Sequence, residues 1–550
     1  MATVSARIVS ALLPATTEVF GVMGNGNAHF LDAVMAAPSL HFTAVRHEAG
    51  AVAAADAYHR ASGGLAVATT TYGAGFTNAS TPLAEAVQAG IPLVLVVGDA
   101  PTTGARAWDI DQSLVAKGLG ATTFTVSATD PLAVTTAAVE HALRQREAVV
   151  LAIPYDLAST EAADEETPGA PAPGPRPAPA SADLERIAAL LSSAERPLVL
   201  AGRGAWVSGA AAAAGALAER LGALTATSGL GAGLFGDDTA ALGIAGGWAS
   251  DRTAGLIEQA DVVLVLGARL NQFTMRFGHS FGVDARVVQV DLAAGPTSAA
   301  VTDFVHADAR LTAEALAAAV ERREGGRRWS TRAAGEALRA HDARDDGEPT
   351  APDGRLDPRS LCRALDRMLP TDRTIVQDGG HFIGWAPGYL HVPAPNRMIM
   401  VGTAYQTIGL GFPSAVGAAR ALPGSTVVLC TGDGGALMAL ADLETFIRTA
   451  RRAVVVVFND AAYGAEIHQY AVRGIHSGPM LIDEVDFAAV AAAFGARSAT
   501  IASLGDLAGV AGWLASDDDG VLLLDCKISR QVVAPYMQEI VAVAARVGSR

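Results

Sequence analysis

Short, nearly continuous apolar runs alternate along this chain with alanine-rich stretches whose apolar positions recur at helical spacing. The runs IPLVLVV (91–97), AVVLAIPYDL (148–157), PLVLAG (197–202), DVVLVLG (261–267) and RVVQVDL (286–292) are strand-length and end in a turn, glycine or charge. They read as buried parallel strands, and strands of that kind separated by helices predict an α/β chain. Near the C-terminus, TVVLC (426–430) reads as a strand, ALMALADLETFIRTA (436–450) as a helix and AVVVVF (453–458) as a second strand, one βαβ crossover. The spacing predicts that Asp433, in Gly432-Asp433-Gly434-Gly435, and Asp460, in Asn459-Asp460, emerge side by side at the carboxyl edge of a sheet. Open α/β sheets bind ligands at that edge, and a helix beginning near Gly435 would add N–H groups suited to phosphate. Two hard carboxylate oxygens suit Mg²⁺ or Ca²⁺, so the pair reads as a metal-diphosphate site. Taken singly, Gly-Asp-Gly is a tight turn and Asn-Asp a strand end.

At 550 residues the chain exceeds the usual size of one core. Residues 1–158 read as an α/β domain, and the stretch 159–182 then breaks every periodicity. Six prolines between 168 and 179 make it a stiff connector, advancing about 3.1 Å per residue. A second α/β unit is expected over 183–320, a charged linker over 321–354 and a third α/β unit over 355–545. The net charge of −16, from 40 basic and 56 acidic residues, argues against nucleic acid or an anionic membrane as partner. No apolar run is long enough to span a bilayer, and the N-terminus lacks the basic start and long apolar core of a signal peptide. Cys362, Cys430 and Cys526 show no metal or disulfide spacing; with the missing signal peptide this points to a reducing cytoplasm.

The strand, turn, helix, strand context around GDG and N-D closely resembles the signature of thiamine-diphosphate enzymes, and similarity extends over almost the whole chain. AVRHEAGAVAAADAYHRASG (44–63) is similar to the RHE-x-x-A segment of acetolactate-synthase-like members. GVMGNGNAHFLDAV (21–34), TTTYGAGFTNASTPLAEAVQAGIPLVLVVGDAP (69–101) and GTAYQTIGLGFPSAVGAAR (402–420) continue it. The resemblance implies three Rossmann-like doubly wound parallel-sheet domains: pyrimidine-binding, central and diphosphate-binding. It implies thiamine diphosphate and Mg²⁺, the metal held by Asp433, Asp460 and the backbone carbonyl of Ala462, with Gly432, Gly434 and Gly435 beside the diphosphate. Asp460 stands where Asn is commoner, keeping an oxygen ligand while adding charge. Glu48 is implied to hydrogen-bond N1′ of the aminopyrimidine, a task for an acid that trades a proton near neutral pH; its residue-level alternative is a glutamate favouring a helix dipole. Ile408 would support the bent cofactor, and backbone groups of Gln406 and Ile408 would bond the pyrimidine edge. In the family the pyrimidine and diphosphate sites of one cofactor come from different subunits, implying a homodimer or homotetramer. Acetolactate synthases hold FAD in the central domain, but GARLNQFTMRFG (267–278) keeps Arg269 while losing the family's acidic pair at Asn271 and Gln272. A structural central domain without FAD is therefore the expectation, and the turn Gly202-Arg203-Gly204 alone is weak evidence for a nucleotide.

Overall similarity implies decarboxylation of a 2-oxo acid, with pyruvate the expected donor, and transfer of the acyl-anion equivalent to an acceptor carbonyl. Several residues depart from the synthases. Six positions beyond Asp460 stands Glu466, where synthases carry an apolar residue and pyruvate decarboxylases a catalytic Glu. Asn25, in GNGN, takes a place that is acidic in pyruvate decarboxylases. Asp111 and Gln112, in WDIDQSL (108–114), replace an F-Q-E segment or a His pair. His381 replaces a cofactor-side Gln, and Gln469 the acceptor-side Trp. Glu48, Glu466, Asn25, Asp111 and Gln112 are thus the candidate catalytic residues. A solvated helix-start glutamate is the alternative for Glu466, and ordinary surface histidines the alternative for His29 and His468. A simple 2-oxo acid decarboxylase is the alternative function, and a non-catalytic cofactor-binding homologue is disfavoured by the joint presence of Glu48, Asp433 and Asp460.

Overall fold

The computed structural model describes residues 2–163, 174–236, 238, 240–322, 329, 333–336 and 347–548. Much of the proline-rich stretch and of the charged linker therefore lies outside the described residues. Among the described residues eighteen strands form three six-stranded sheets, and every pairing between these strands is parallel. In the first, β1 (Glu18–Gly21), β2 (His41–Ala44), β3 (Ala66–Thr70), β4 (Leu93–Asp99), β5 (Thr122–Thr125) and β6 (Ala148–Pro154) lie in the order 2-1-3-4-6-5. The second contains β7 (Pro197–Ala201), β8 (Leu224–Thr227), β9 (Ala241–Ile244), β10 (Val262–Leu266), β11 (Arg286–Asp291) and β12 (Asp303–His306), in the order 12-11-10-7-8-9. The third contains β13 (Arg373–Gln377), β14 (Met398–Ile399), β15 (Thr426–Gly432), β16 (Arg452–Asn459), β17 (Arg497–Ile501) and β18 (Gly520–Lys527), in the order 14-13-15-16-18-17. The outer sheets thus repeat one topology, while the middle sheet follows the order associated with dinucleotide folds. Strands β6, β10, β15 and β16 are buried along their whole length, as helices covering both faces require.

The first and third sheets share a hydrophobic core. Its seam is the alanine-rich helix Glu48–Ser62 packed on helix Gly411–Ala421. A side chain on Gly417 would come within 2.0 Å of the Ala54 carbonyl oxygen, so the two backbones approach only because residue 417 is glycine. The Arg420–Glu18 ion pair (2.6 Å) closes the same interface.

The single helix expected over 436–450 is two, Asp433–Met438 and Ala441–Thr449. The break lets Asp442 turn toward the first unit, where its carboxylate accepts the Arg46 backbone N–H at 2.8 Å and the Thr445 hydroxyl at 3.2 Å. Cys362, Cys430 and Cys526 are all buried and free, as packing residues are. No helix among the described residues is long and apolar enough to cross a membrane.

Candidate active site

Adjacent strands β15 and β16 deliver Asp433 and Asp460 to one sheet edge, in a register that pairs Gly432 with Phe458. Asp433 Oδ1 accepts the Gly434 N–H (2.9 Å) and Oδ2 the Ala462 N–H (3.2 Å). Both carboxylates are buried, at 3% and 6% exposure, which raises both pKa values; the charge of Asp433 raises Asp460 further. A divalent cation relieves this arrangement directly, because it compensates both charges with hard oxygen donors. Among the described residues no group of three His, Cys, Asp or Glu side chains is set to hold a metal. A cation placed between these two carboxylates would need further oxygen donors to complete its shell. The glycines keep the cradle close: a side chain on Gly434 would meet Tyr463 at 2.6 Å, and one on Gly464 would meet Asp460 Oδ2 at 3.0 Å. Ala461, in the turn after Asp460, and Gln406 both hold left-handed backbone (φ 55° and 60°), a conformation costly for non-glycine residues and concentrated at functional sites.

Gly432, Asp433, Gly434, Gly435, Asp460, Ala462, His381, Gln406, Ile408 and Glu466 all line one cavity of about 1590 Å³. His381 is buried, and burial with the nearby His468 lowers it to about 3, so it stays neutral; its Nε2 accepts the Ala534 N–H at 2.9 Å. The alternative of an ordinary surface histidine does not hold at 468. His468 is buried against His381, ring centroids 4.5 Å apart, because helix Gly464–Tyr470 turns that face inward. His29 is exposed. Glu466 is exposed in the cavity, and burial together with its charge pushes the Tyr536 hydroxyl well up. Sequence reasoning missed Asp378, a fully buried carboxylate beneath this edge; its only signal was an acid just past β13, in a Asp-Gly-Gly sequence that reads as a turn.

The remaining candidates lie elsewhere. Glu48 opens its helix behind the His47 cap, and its Oε2 accepts the Asn78 side-chain N–H at 3.0 Å. A side chain on Gly75 would sit 3.3 Å from Glu48 Oε1, so the carboxylate faces the turn after β3. Asn25 lies at the same carboxyl edge, donating to the Tyr72 hydroxyl (3.0 Å) and accepting from Tyr155 (3.5 Å). Arg106 stacks over both tyrosine rings. Asp111 caps helix Gln112–Gly118 through the Leu114 N–H. Gln112 is a brace: its oxygen accepts the Gly73 N–H, and its amide donates to the Gly98 carbonyl and to Asp99. None of these four residues lines the cavity that holds Asp433.

The cavity continues toward the middle sheet, past Gly204 and Gly267, to Arg146, Arg203 and Arg269. Burial, then the like charges of Arg60 and Arg146, lowers Arg203 to about 9. Asn271 and Gln272, the positions that depart from the flavin pattern, line it too.

Three family matches run along the chain: thiamine pyrophosphate enzyme N-terminal TPP binding domain over residues 2–119, central domain over 184–316 and C-terminal TPP binding domain over 378–526. The sulfoacetaldehyde acetyltransferase of Castellaniella defragrans is 28% identical over 534 residues, covering 89% of this chain and 86% of that protein. The acetolactate synthase isozyme 2 large subunit of Escherichia coli is 28% identical over 489 residues, covering 87% and 86%. In fold, the chain is similar to the benzoylformate decarboxylase of Polynucleobacter necessarius, with a TM-score of 0.82 at 20% identity over 96% of this chain and 99% of that one. With three thiamine pyrophosphate domains in sequence and relatives of this length, the chain belongs to the thiamine-diphosphate-dependent enzymes, in their acetolactate-synthase-like superfamily.

Proposed function

We propose that this enzyme decarboxylates a 2-oxo acid, with pyruvate the expected donor, and transfers the acyl-anion equivalent to an acceptor carbonyl, using thiamine diphosphate and Mg²⁺. The observation that carries this reading is the pair Asp433 and Asp460, buried side by side at a sheet edge, in a chain that carries Glu48 at the start of a helix flanking a separate sheet. The cofactor supplies a carbanion at its thiazolium ring when bound. Asp433, Asp460 and the Ala462 carbonyl would hold the metal, Gly432 to Gly435 and His381 the diphosphate, and Gln406 and Ile408 the pyrimidine. Glu48 would exchange a proton with N1′.

Glu48 lies outside the cavity that holds Asp433. This supports a site completed by Glu48 of a second copy, hence a homodimer or a homotetramer as the working form. The site takes small molecules, and the acidic chain offers no surface for nucleic acid. A cytoplasmic location belongs to the same proposal. FAD is disfavoured by Asn271 and Gln272, although the cavity reaches the middle sheet.

Simple decarboxylation to an aldehyde is the second reading, favoured by one observation: the exposed Glu466 side chain in the cavity offers a carboxyl group that could relay a proton, which an apolar residue cannot. The test is incubation of the holoenzyme with labelled pyruvate, with and without acceptor aldehydes and 2-oxo acids, and mass spectrometry of the products. A labelled hydroxyketone or 2-hydroxy-3-oxo acid supports carboligation, and labelled acetaldehyde alone supports the second reading. Absence of decarboxylation across a panel of 2-oxo acids overturns both.

A further inference from the structure

The Asp378 carboxylate divides its two oxygens between two loops. Oδ1 accepts the backbone N–H groups of Gly379 (2.7 Å), Gly409 (3.0 Å) and Leu410 (3.4 Å), the last two directly after Ile408. Oδ2 accepts the hydroxyl of Thr431 (3.2 Å), directly before the Gly432–Gly435 turn. Packing enforces the same bridge. A side chain on Gly435 would come within 2.6 Å of Asp378 Oδ2, and one on Gly411 within 3.0 Å of it. The Asp378 N–H is itself fixed on the Cys430 carbonyl (3.0 Å), so the carboxylate is referenced to the frame of β15. Asp378 is 1% exposed, burial raises its pKa, and no ion pair to it is found among the described residues, so the carboxylate rests on these hydrogen-bond donors. A buried carboxylate is costly unless its hydrogen bonds are satisfied and geometrically good.

We propose that Asp378 is a positioning residue that sets the register between the Ile408 loop and the Gly432–Gly435 turn, so that one bound molecule engages both. This rests on the cofactor reading above. Neither loop has another side chain that reaches across to the other with both ends hydrogen-bonded, whereas each loop keeps its own backbone anchors: Thr407 N–H on the Gly402 carbonyl (2.9 Å), and the Asp433 bonds already given. Loss of Asp378 therefore disturbs the relation between the loops more than either loop. A ligand gripped at one end only should scarcely notice, and a ligand gripped at both ends should bind less well.

The experiment compares Mg²⁺-thiamine diphosphate with Mg²⁺-inorganic pyrophosphate by calorimetry, using wild type and Asp378→Asn. The expected result is a loss of at least tenfold in thiamine diphosphate affinity, with pyrophosphate affinity within about twofold of wild type. Ile408→Ala should show the same selective loss, and the double variant should lose less than the product of the two single effects, as residues acting through one contact do. Thr431→Val removes the hydroxyl that lies 3.2 Å from both Asp378 Oδ2 and the Gly432 carbonyl while keeping the Asp378 carboxylate, so it carries the same test, with a smaller selective loss, if Asp378→Asn does not fold. Equal losses for both ligands, unchanged affinity for both, or multiplicative behaviour with Ile408→Ala would overturn the proposal. Wild type binding pyrophosphate but not thiamine diphosphate would instead overturn the cofactor reading, and this proposal with it.

Discussion

Asp433 Oδ2 accepts the backbone N–H of Ala462 at 3.2 Å, which ties the turn after β15 to the turn after β16. Two acids so held repel each other until a cation stands between them, so cofactor affinity should depend on metal. Calorimetry of thiamine diphosphate should show at least a tenfold loss in excess chelator, and a comparable loss in Asp433→Ala with Mg²⁺ present. Wild-type affinity in either case removes the diphosphate site from this sheet edge.

Glu48 stands at the start of its helix with one carboxylate oxygen on Asn78 and the other beside Gly75. Glu48→Gln keeps the shape and the hydrogen bond but cannot exchange a proton with N1′. Hydrogen-deuterium exchange at C2 of bound cofactor, followed by quenched-flow NMR, should slow by about 10²-fold or more, with cofactor affinity little changed. An unchanged exchange rate takes Glu48 out of the chemistry.

Because Glu48 and Asp433 do not share a cavity within one chain, inactive subunits should complement each other. Glu48→Gln and Asp433→Ala proteins, mixed under conditions of subunit exchange, should regain part of the wild-type activity, since some sites combine an intact half from each. A fully active monomer in light-scattering-coupled chromatography excludes the arrangement.

The space around the Cα predicts opposite signs for two glycine substitutions, one at the seam between the first and third units and one in a helix of the middle unit. Gly417→Ala places a methyl group against the Ala54 carbonyl and should destabilise by about 1–3 kcal/mol. Gly215→Ala, in helix Ala211–Leu221 with nothing within 4 Å of the added carbon, should stabilise by roughly 0.5–1 kcal/mol. Urea denaturation of both decides. A neutral Gly417→Ala means that the two helices part at little cost.

What was legible in the sequence follows from which forces are local. Strands such as β15 and β16 announce themselves because burial on both faces demands unbroken apolar runs, and that alone placed Asp433 beside Asp460. The break at 439–440 was hidden, because its reason is Asp442 reaching Arg46, nearly four hundred residues away in sequence. His468 sits among polar residues of a short helix, so its burial depends on a turn from another segment, the one carrying His381. Asp378 was hidden for the same reason: its partners at 409, 410 and 431 come together only when β13, β15 and the Ile408 loop are assembled.

Glu466 lies on the first turn of helix Gly464–Tyr470, exposed to the cavity, with its charge acting on the Tyr536 hydroxyl. That hydroxyl is itself committed to the carbonyls of Gly380 and His381. Nearby His381, held near a pKa of 3 and accepting from Ala534, stays neutral at working pH and cannot act as a cationic proton donor. Under the proposed function, Glu466 would be the side chain that relays a proton on this side of the cavity. Loss of a positioned acid-base group typically costs about 10²- to 10⁴-fold in rate. Glu466→Gln should lower turnover within that range while cofactor affinity stays within about twofold, as expected for a residue that moves a proton without gripping the diphosphate. The product ratio should shift as well, because protonation to an aldehyde and transfer to an acceptor place different demands on one carboxyl group. Wild-type turnover and an unchanged product ratio would make Glu466 a solvated helix residue, and the polar departure from the synthases at this position would carry no chemical weight.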